Sequence, residues 1–481
     1  MAGRVIWSRP GWLILLVMFA VLLLFPFAVI LQCFDRVDML ALAFHLDFGT
    51  EGAPLSAVSR ELRSAFFGCL FIIIISHCLL KLWPGHRWIA FVLTAILLLT
   101  NPLSQYHLRA LTVPYVDLNL SDDFSFPAAA PENPTYPDLV IIFLEGTDQR
   151  FFDRSVFGNT AGALDDLKAE ALTFTNIKQI EGTGWSIAGM VATQCGTPLL
   201  PKGLQMRDDF KHVEHFLPGV TCLGDILERQ NYALHYVVGG KLEFGGIDRF
   251  YRGHGFERLI GFDQLAELSD AKTFLRAQAK QIADDQLVFS AAQIEFSNLI
   301  VKANPFALVV ETTGPHGLDG YLSRSCTSDG QSAQTEDVNA TVRCTTELAR
   351  AFVDTIRADY AKSGRSDLRI VILSDHLWHG GTTPGVDPVL EGRNTVMFLD
   401  KHRRGDENSR VGSMVDVFPT LLDWLDLAES PVAAGLGRSL LDTPQTLLER
   451  YDLDSVNANI ISDPDLSRQI WSAQIKHPRR Q

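Results

Sequence analysis

Basic residues are in deficit in this 481-residue chain: 42 lysines and arginines stand against 56 aspartates and glutamates, a formal net charge of −14. That balance excludes a polyanion-binding surface, so nucleic acid is not an expected partner and any anionic substrate must be held locally by a few placed groups. Cysteine is scarce as well. Of seven, Cys33, Cys69 and Cys78 fall in or beside long apolar runs, and Cys195, Cys222, Cys326 and Cys344 lie in the polar remainder. An oxidising compartment would pair those four, most economically as Cys195 with Cys222 and Cys326 with Cys344, although three connectivities are open. No internal repeat or low-complexity tract is present, which sets aside repeat architectures.

Long apolar runs are confined to the first hundred residues. Residues 12–31 form an unbroken apolar stretch of twenty, enough at about 1.5 Å per residue to cross the roughly 30 Å hydrocarbon core. Residues 65–83 and 88–100 are expected as a second and a third span, the third the shortest. The first is too long for a signal-peptide core and no small-residue cleavage site follows it, so it reads as a retained anchor. Arg4 and Arg9 precede the first span, and Lys81 and Arg87 lie between the second and third. Arg36, Arg60 and Arg63 oppose them, so the positive-inside bias is slight. An N-terminus inside and three spans would put everything after about residue 104 outside the cytoplasm.

The sequence therefore divides into a membrane part (1–104), a proline-bearing linker (105–137), an extracytoplasmic catalytic part (138–450) and a polar tail (451–481). The tail ends in a basic patch, His477 to Arg480, to which no function is assigned. From residue 138 strand-like runs (139–144, 232–238, 306–310, 368–373, 395–399) alternate with helical stretches near 162–172, 263–302 and 345–362. This pattern predicts an α/β domain with a mostly parallel central sheet covered by helices. Residues 414–427 have helical periodicity, expected to break near Pro419.

Two of the buried runs end on acids. Residues 139–144 stop at Glu145, and residues 368–373 stop at Ser374, Asp375 and His376. Ligands of open α/β sheets collect at the carboxyl ends of the strands, so these side chains are delivered to one edge. Carboxylates and an imidazole suit a single divalent cation, with Mn²⁺ or Zn²⁺ favoured by the imidazole and Mg²⁺ as the alternative. Thr183, between Gly182 and Gly184, precedes an apolar helical run. At a helix N-terminus its hydroxyl could serve as a nucleophile for an anionic substrate, or simply cap the helix. Ser186 is the rival hydroxyl, expected one turn inside that helix in a supporting or packing role. His316, in the Gly314-Pro315-His316-Gly317 turn, and His379 are candidate acids or bases, or plain loop histidines.

The order Glu145, Thr183, Gly-Pro-His-Gly, Ser-Asp-His and Asp416-Val417-Phe418-Pro419-Thr420-Leu421-Leu422 resembles the alkaline phosphatase and sulfatase superfamily over about residues 138–442. It is similar above all to its membrane-anchored transferases of phosphoglycerol or phosphoethanolamine. The stretch 187–199 and the segment Phe250-Tyr251-Arg252-Gly253-His254-Gly255-Phe256 resemble the phosphoglycerol transferases of osmoregulated periplasmic glucans. The resemblance implies a metal held by Glu145, Thr183, Asp375 and His376, with Thr183 as nucleophile and His316 or His379 as acid or base. It further implies phosphatidylglycerol as donor, a glycan acceptor, release of diacylglycerol, and a multi-pass inner-membrane protein with its catalytic domain in the periplasm. The Trp and Arg that lipoteichoic acid synthases use to hold glycerol phosphate are replaced by Gly245 and Gly246, with Lys241, Arg249 and Arg252 close enough in sequence to compensate. No Cys or Ser followed by a Pro-x-Arg pattern stands at the nucleophile, which disfavours sulfate-ester hydrolysis. A phosphoethanolamine transferase acting on lipid A or another glycolipid, or a non-catalytic membrane sensor keeping the fold, are the alternatives.

Overall fold

The computed structural model describes residues 11–34, 38–48, 58–82, 87–112, 116–128, 136–202, 216–268, 281–316, 320–379, 392–401 and 405–472. The basic patch at 477–480 lies outside them. The chain forms two compact units. The first holds the helices α1 (Gly11–Phe34), α3 (Ser59–Leu82), α4 (Arg87–Thr100) and α5 (Pro102–Thr112). The first two of these are long and apolar enough to cross a membrane, and α4 is a shorter apolar helix. Their large side chains face outward, Leu22 at 72% exposure and Phe67 and Phe71 at 63% each, as a lipid-facing surface requires. From Leu40 onward the short helix α2 (Met39–Phe48), although it lies between α1 and α3 in sequence, belongs to the second unit.

That second unit is built on an eight-stranded sheet: β1 (Asp138–Leu144), β2 (Leu172–Phe174), β3 (Ala233–Val238), β4 (Arg258–Ile260), β5 (Phe306–Glu311), β6 (Leu368–Ser374), β7 (Val396–Leu399) and β8 (Glu407–Asn408). Their spatial order is β8-β2-β7-β6-β1-β5-β3-β4. Every neighbouring pair is parallel except those made by β7, which runs antiparallel to both β6 and β2. All seven residues of β1 are buried. Leu139, Ile141 and Phe143 point into one apolar layer, and Val140, Ile142 and Leu144 into the other. This two-sided burial explains why the strand reads as a continuous apolar run rather than an alternating one.

One layer is supplied by α6 (Ser186–Cys195), α7 (Ile247–Gly253) and α10 (Met414–Trp424), and the other by α8 (Asp285–Ile300) and α9 (Val338–Lys362). Two expectations need correction. The helix through Pro419 is not broken there. It runs on to Trp424, and the Val415 carbonyl that Pro419 leaves without its helical donor is approached closely by the Gly437 backbone. The stretch from 451 is not a free polar tail either. α11 (Leu453–Ser462) and α12 (Pro464–Trp471) bury Val456, Ile460, Leu466, Ile470 and Trp471 in the main core. Asn459 also binds part of the linker, donating to the Val116 carbonyl (2.7 Å) and accepting from the Leu118 amide (2.9 Å). Cys195 is bonded to Cys222 and Cys326 to Cys344, and Cys33, Cys69 and Cys78 belong to neither disulfide.

Candidate active site

Register alone brings the strand-end acids together. In the β1–β6 pair Leu144 lies opposite Ser374, so the next residues, Glu145 and Asp375, leave the sheet side by side. His376 follows at once. Its Nε2 is 3.3 Å from Glu145 Oε1 and 3.3 Å from Asp375 Oδ2, and all three side chains are buried. The backbone fixes Asp375 through its other oxygen, Oδ1, which accepts from the amides of Gly146 (2.9 Å) and His376 (2.8 Å). The second oxygen, Oδ2, is buried and has no hydrogen-bond donor among the described residues. His376 Nδ1 lies 2.8 Å from the Leu377 carbonyl, which can only accept, so Nδ1 carries a proton and Nε2 is the ring atom turned to the carboxylates, where a cation would take the place of its proton.

An orphaned carboxylate oxygen and an oriented imidazole nitrogen on one spot are what a divalent cation fits, and the three ligand atoms lie within 4.8 Å of one another. The electrostatics agree. Burial pushes the Asp375 carboxyl up and the charge of Glu145 adds to it. Burial also works to raise Glu145, but His376 and His316 outweigh it and hold Glu145 below the ordinary carboxylate range. Against burial, the two acids hold the His376 imidazolium up. A proton on the imidazole thus balances the acids where a cation would otherwise do so. A second cluster, Cys222, Asp225 and His254, has metal-like spacing, but Cys222 is in a disulfide and offers no thiolate.

The hydroxyls divide differently from the sequence expectation. The helix α6 begins at Ser186, not at Thr183, with Trp185 as its N-cap. Ser186 therefore stands in the first turn, and its hydroxyl donates to Glu145 Oε2 at 3.2 Å. Thr183, fully buried three residues earlier, donates its hydroxyl to the Ile180 carbonyl at 2.7 Å. His379 lies over His376 with ring centroids 4.2 Å apart. His316 is half-buried and near enough to lower Glu145 through its charge. Among the candidate substrate residues, Lys241 is ion-paired with Asp263 at 2.7 Å, and Arg249 and Arg252 are exposed on α7.

Two further buried acids, Glu311 and Asp285, stand near this site. Glu311 closes β5 as Glu145 follows β1. It accepts a short hydrogen bond from the Tyr236 hydroxyl and is pushed well up by burial and by the charges of Asp375 and Glu145. The sequence signal was there, since a third apolar run also ends on an acid. Asp285, at the start of α8, accepts from the amides of Thr313 (2.7 Å) and Gly314 (3.1 Å) and from the Thr345 hydroxyl (2.5 Å). It thereby pins the turn that carries His316. No local pattern marks it, because its partners are 28 to 60 residues away.

A mostly parallel α/β sheet with buried acids and a histidine at its carboxyl edge, facing the N-terminus of a helix, defines a member of the alkaline phosphatase superfamily. The chain belongs to the sulfatase family of that superfamily, whose model matches residues 137–427. It is 31% identical over 353 residues to phosphoglycerol transferase I of Salmonella arizonae, covering 72% of this chain and 44% of that protein. The chain thus spans less than half the length of the curated relatives it matches. Similar solved structures include a protein in the alkaline phosphatase superfamily from Vibrio parahaemolyticus (19% identity, TM-score 0.48, covering 70% of this chain and 76% of that one). Another is the lipoteichoic acid synthase LtaP from Listeria monocytogenes (14% identity, TM-score 0.46, covering 73% and 95%).

Proposed function

We propose that the chain is a metal-dependent transferase that moves phosphoglycerol from phosphatidylglycerol to a periplasmic glucan or related glycan. The observation that carries this reading is the buried, donor-less Asp375 Oδ2 beside the oriented His376 Nε2 and Glu145, at the N-terminus of α6. It is supported by the likeness to relatives named phosphoglycerol transferase I. Glu145, Asp375 and His376 would hold the cation, and Thr183 would join them once its hydroxyl leaves the Ile180 carbonyl. The cation, Mn²⁺ or Zn²⁺ with Mg²⁺ as the alternative, would supply charge neutralisation at the phosphoryl oxygens.

In the first half-reaction His316 or His379 takes the hydroxyl proton of Thr183 as its oxygen bonds to phosphorus, the bond from phosphorus to the diacylglycerol oxygen breaks, and that oxygen takes up the proton as diacylglycerol leaves. In the second, a glycan hydroxyl gives its proton to the same histidine and attacks the same phosphorus, and the Thr183 oxygen leaves with that proton. Arg249 and Arg252 are candidates to meet the anionic head group, with Lys241 available if it leaves Asp263. A lipid donor gives the membrane helices their purpose, and we place the catalytic unit in the periplasm of an inner-membrane protein.

Ser186 offers a second reading, favoured by its direct hydrogen bond to Glu145. The test is to trap the intermediate with labelled phosphatidylglycerol and weigh the peptides. Phosphoglycerol on Thr183, with transfer abolished in Thr183→Ala, is the expected result. The same mass on Ser186 would move the nucleophile, a phosphoethanolamine mass would change the donor, and undiminished transfer by Thr183→Ala would end the reading.

A further inference from the structure

The helix α2 brings a histidine to the catalytic unit from the segment between α1 and α3. Phe44 on this helix is fully buried, its ring 6.0 Å from Trp185 and 6.3 Å from Phe216. The next residue, His45, stacks on Phe244 with centroids 5.4 Å apart at 27°. A Cβ on Gly245 would lie 3.7 Å from His45 Cε1 and 3.4 Å from Ile187 Cγ2, so the imidazole sits beside the first turn of α6. That turn carries Ser186, the hydroxyl bonded to Glu145. Gly245 and Gly246 both have positive φ, 60° and 75°, a conformation that side chains resist, so neither position readily takes a side chain.

Two buried polar atoms of neighbouring residues have no hydrogen-bond partner among the described residues: His45 Nδ1, next in sequence to Phe44, and Nε1 of Trp185, whose ring lies against Phe44, the tryptophan being only 8% exposed. Leaving such groups unsatisfied costs about 1–3 kcal/mol each, a cost that a bound ligand would remove. Their chemistry selects the ligand. Burial pushes His45 down to about 4, so near neutral pH its ring is uncharged and offers one donor and one acceptor. The indole offers a donor only. Uncharged groups of this kind suit hydroxyls rather than a phosphate or an ammonium group.

We propose that His45, together with Trp185, forms a hydroxyl-recognition subsite of the catalytic centre, binding the hydroxyls of a polyol carried by a substrate. The polyol is either the glycerol of the donor head group or a sugar ring of the acceptor. The proposal rests on the transferase reading of the same centre and adds to it a specificity-determining element from outside the catalytic fold.

The test uses the full chain in detergent and measures binding of three probes by calorimetry. These are glycerol 1-phosphate, propyl phosphate of the same charge but without hydroxyls, and a short glucan oligosaccharide. His45→Phe keeps the stack on Phe244 and removes both ring nitrogens, and Trp185→Phe removes only the indole donor. The native chain should prefer a hydroxylated probe, and His45→Phe should weaken that probe by about tenfold, the loss of one to two hydrogen bonds, while propyl phosphate changes less than about twofold. Loss of glycerol phosphate identifies the donor, and loss of the oligosaccharide identifies the acceptor. Equal weakening of all three probes, or of none, in both variants would show that α2 merely packs there and would overturn the proposal. A chain that transfers phosphoglycerol while His45→Phe keeps full hydroxyl preference sinks the subsite alone, and the trapping experiment on Thr183 judges the transferase reading separately.

Discussion

At Gly189, in the middle of α6, a Cβ would stand 1.8 Å from the carbonyl oxygen of Asp375. The helix backbone therefore lies directly on the strand end that presents the acid, and no side-chain rearrangement can make room. Gly189→Ala should displace Asp375 by an appreciable fraction of an ångström, destabilise the fold by about 1–3 kcal/mol and lower transfer by about 100-fold. Head-group transfer together with urea unfolding checks this, and activity within twofold of native would mean that the contact can yield. The orphaned Asp375 Oδ2 supplies a test of the cation itself. A ligand that binds only the folded state at 100 times its dissociation constant adds about 2.7 kcal/mol. Chelation should therefore lower the Tm of the native chain and leave Asp375→Asn, which removes the charge at that oxygen, unmoved. Equal shifts in both proteins would place the cation elsewhere.

The start of α8 and the turn after β5 form a unit through Asp285, which holds the Thr313 and Gly314 amides three and two residues ahead of His316. Burial, with the neighbouring Asp284 adding, pushes its carboxyl up to about 6 in spite of those hydrogen bonds. The folded value lies above the unfolded one of about 3.9, so the stabilising contribution is complete below about pH 4 and is lost as pH rises through about 6, a change of about 3 kcal/mol. Asp285→Asn can still accept from both amides and does not titrate. It should gain stability over the native chain at pH 7.5 and flatten the unfolding free energy between pH 4 and 6. Asp285→Ala should lose stability at both ends and slow transfer, since the amides are left without acceptors. Urea unfolding at pH 4.5 and 7.5 separates the two, and an Asn variant no more stable at pH 7.5 would refute the account. The sequence could show β1, β5 and β6 because their burial on both faces writes a continuous apolar run, and it could show Glu145, Asp375 and His376 because each follows directly on such a strand. Asp285 and the Ser186–Glu145 bond were not legible, as both depend on how distant elements are brought together. The break expected at Pro419 and the free tail after 450 failed for a related reason: in each case packing against another segment overrode what composition alone suggested.

On the scale of the whole chain, α2 constrains the membrane topology by parity. Phe44 is buried within the catalytic unit, so α2 and that unit lie on the same side of any bilayer. An even number of crossings must then separate them, and among the described residues between 48 and 116 the helices are α3, α4 and α5. α3 is long enough to cross. α4 has 14 residues, about 21 Å at 1.5 Å per residue, short of the roughly 30 Å core. The break at Asn101 and Pro102 leaves carbonyls of α4 without helical donors, and the Ser104 hydroxyl and the Gln105 amide donate to those of Leu98 and Leu99, each at 2.7 Å. Side chains that satisfy a broken helix are what a span interrupted by proline needs, so α4 and the start of α5 together can complete the crossing. Labelling decides it. With Cys33, Cys69 and Cys78 replaced by serine, a cysteine at Leu46, which is 70% exposed on α2, should react with a membrane-impermeant maleimide in intact cells, as should one at exposed Arg252. A cysteine at Lys81, at the end of α3, should react only after the membrane is opened. Reaction of the Lys81 site in intact cells would mean that α3 and α4 do not cross as a pair, and protection of the Leu46 site while Arg252 reacts would put α2 and the catalytic unit on opposite sides and overturn the parity argument.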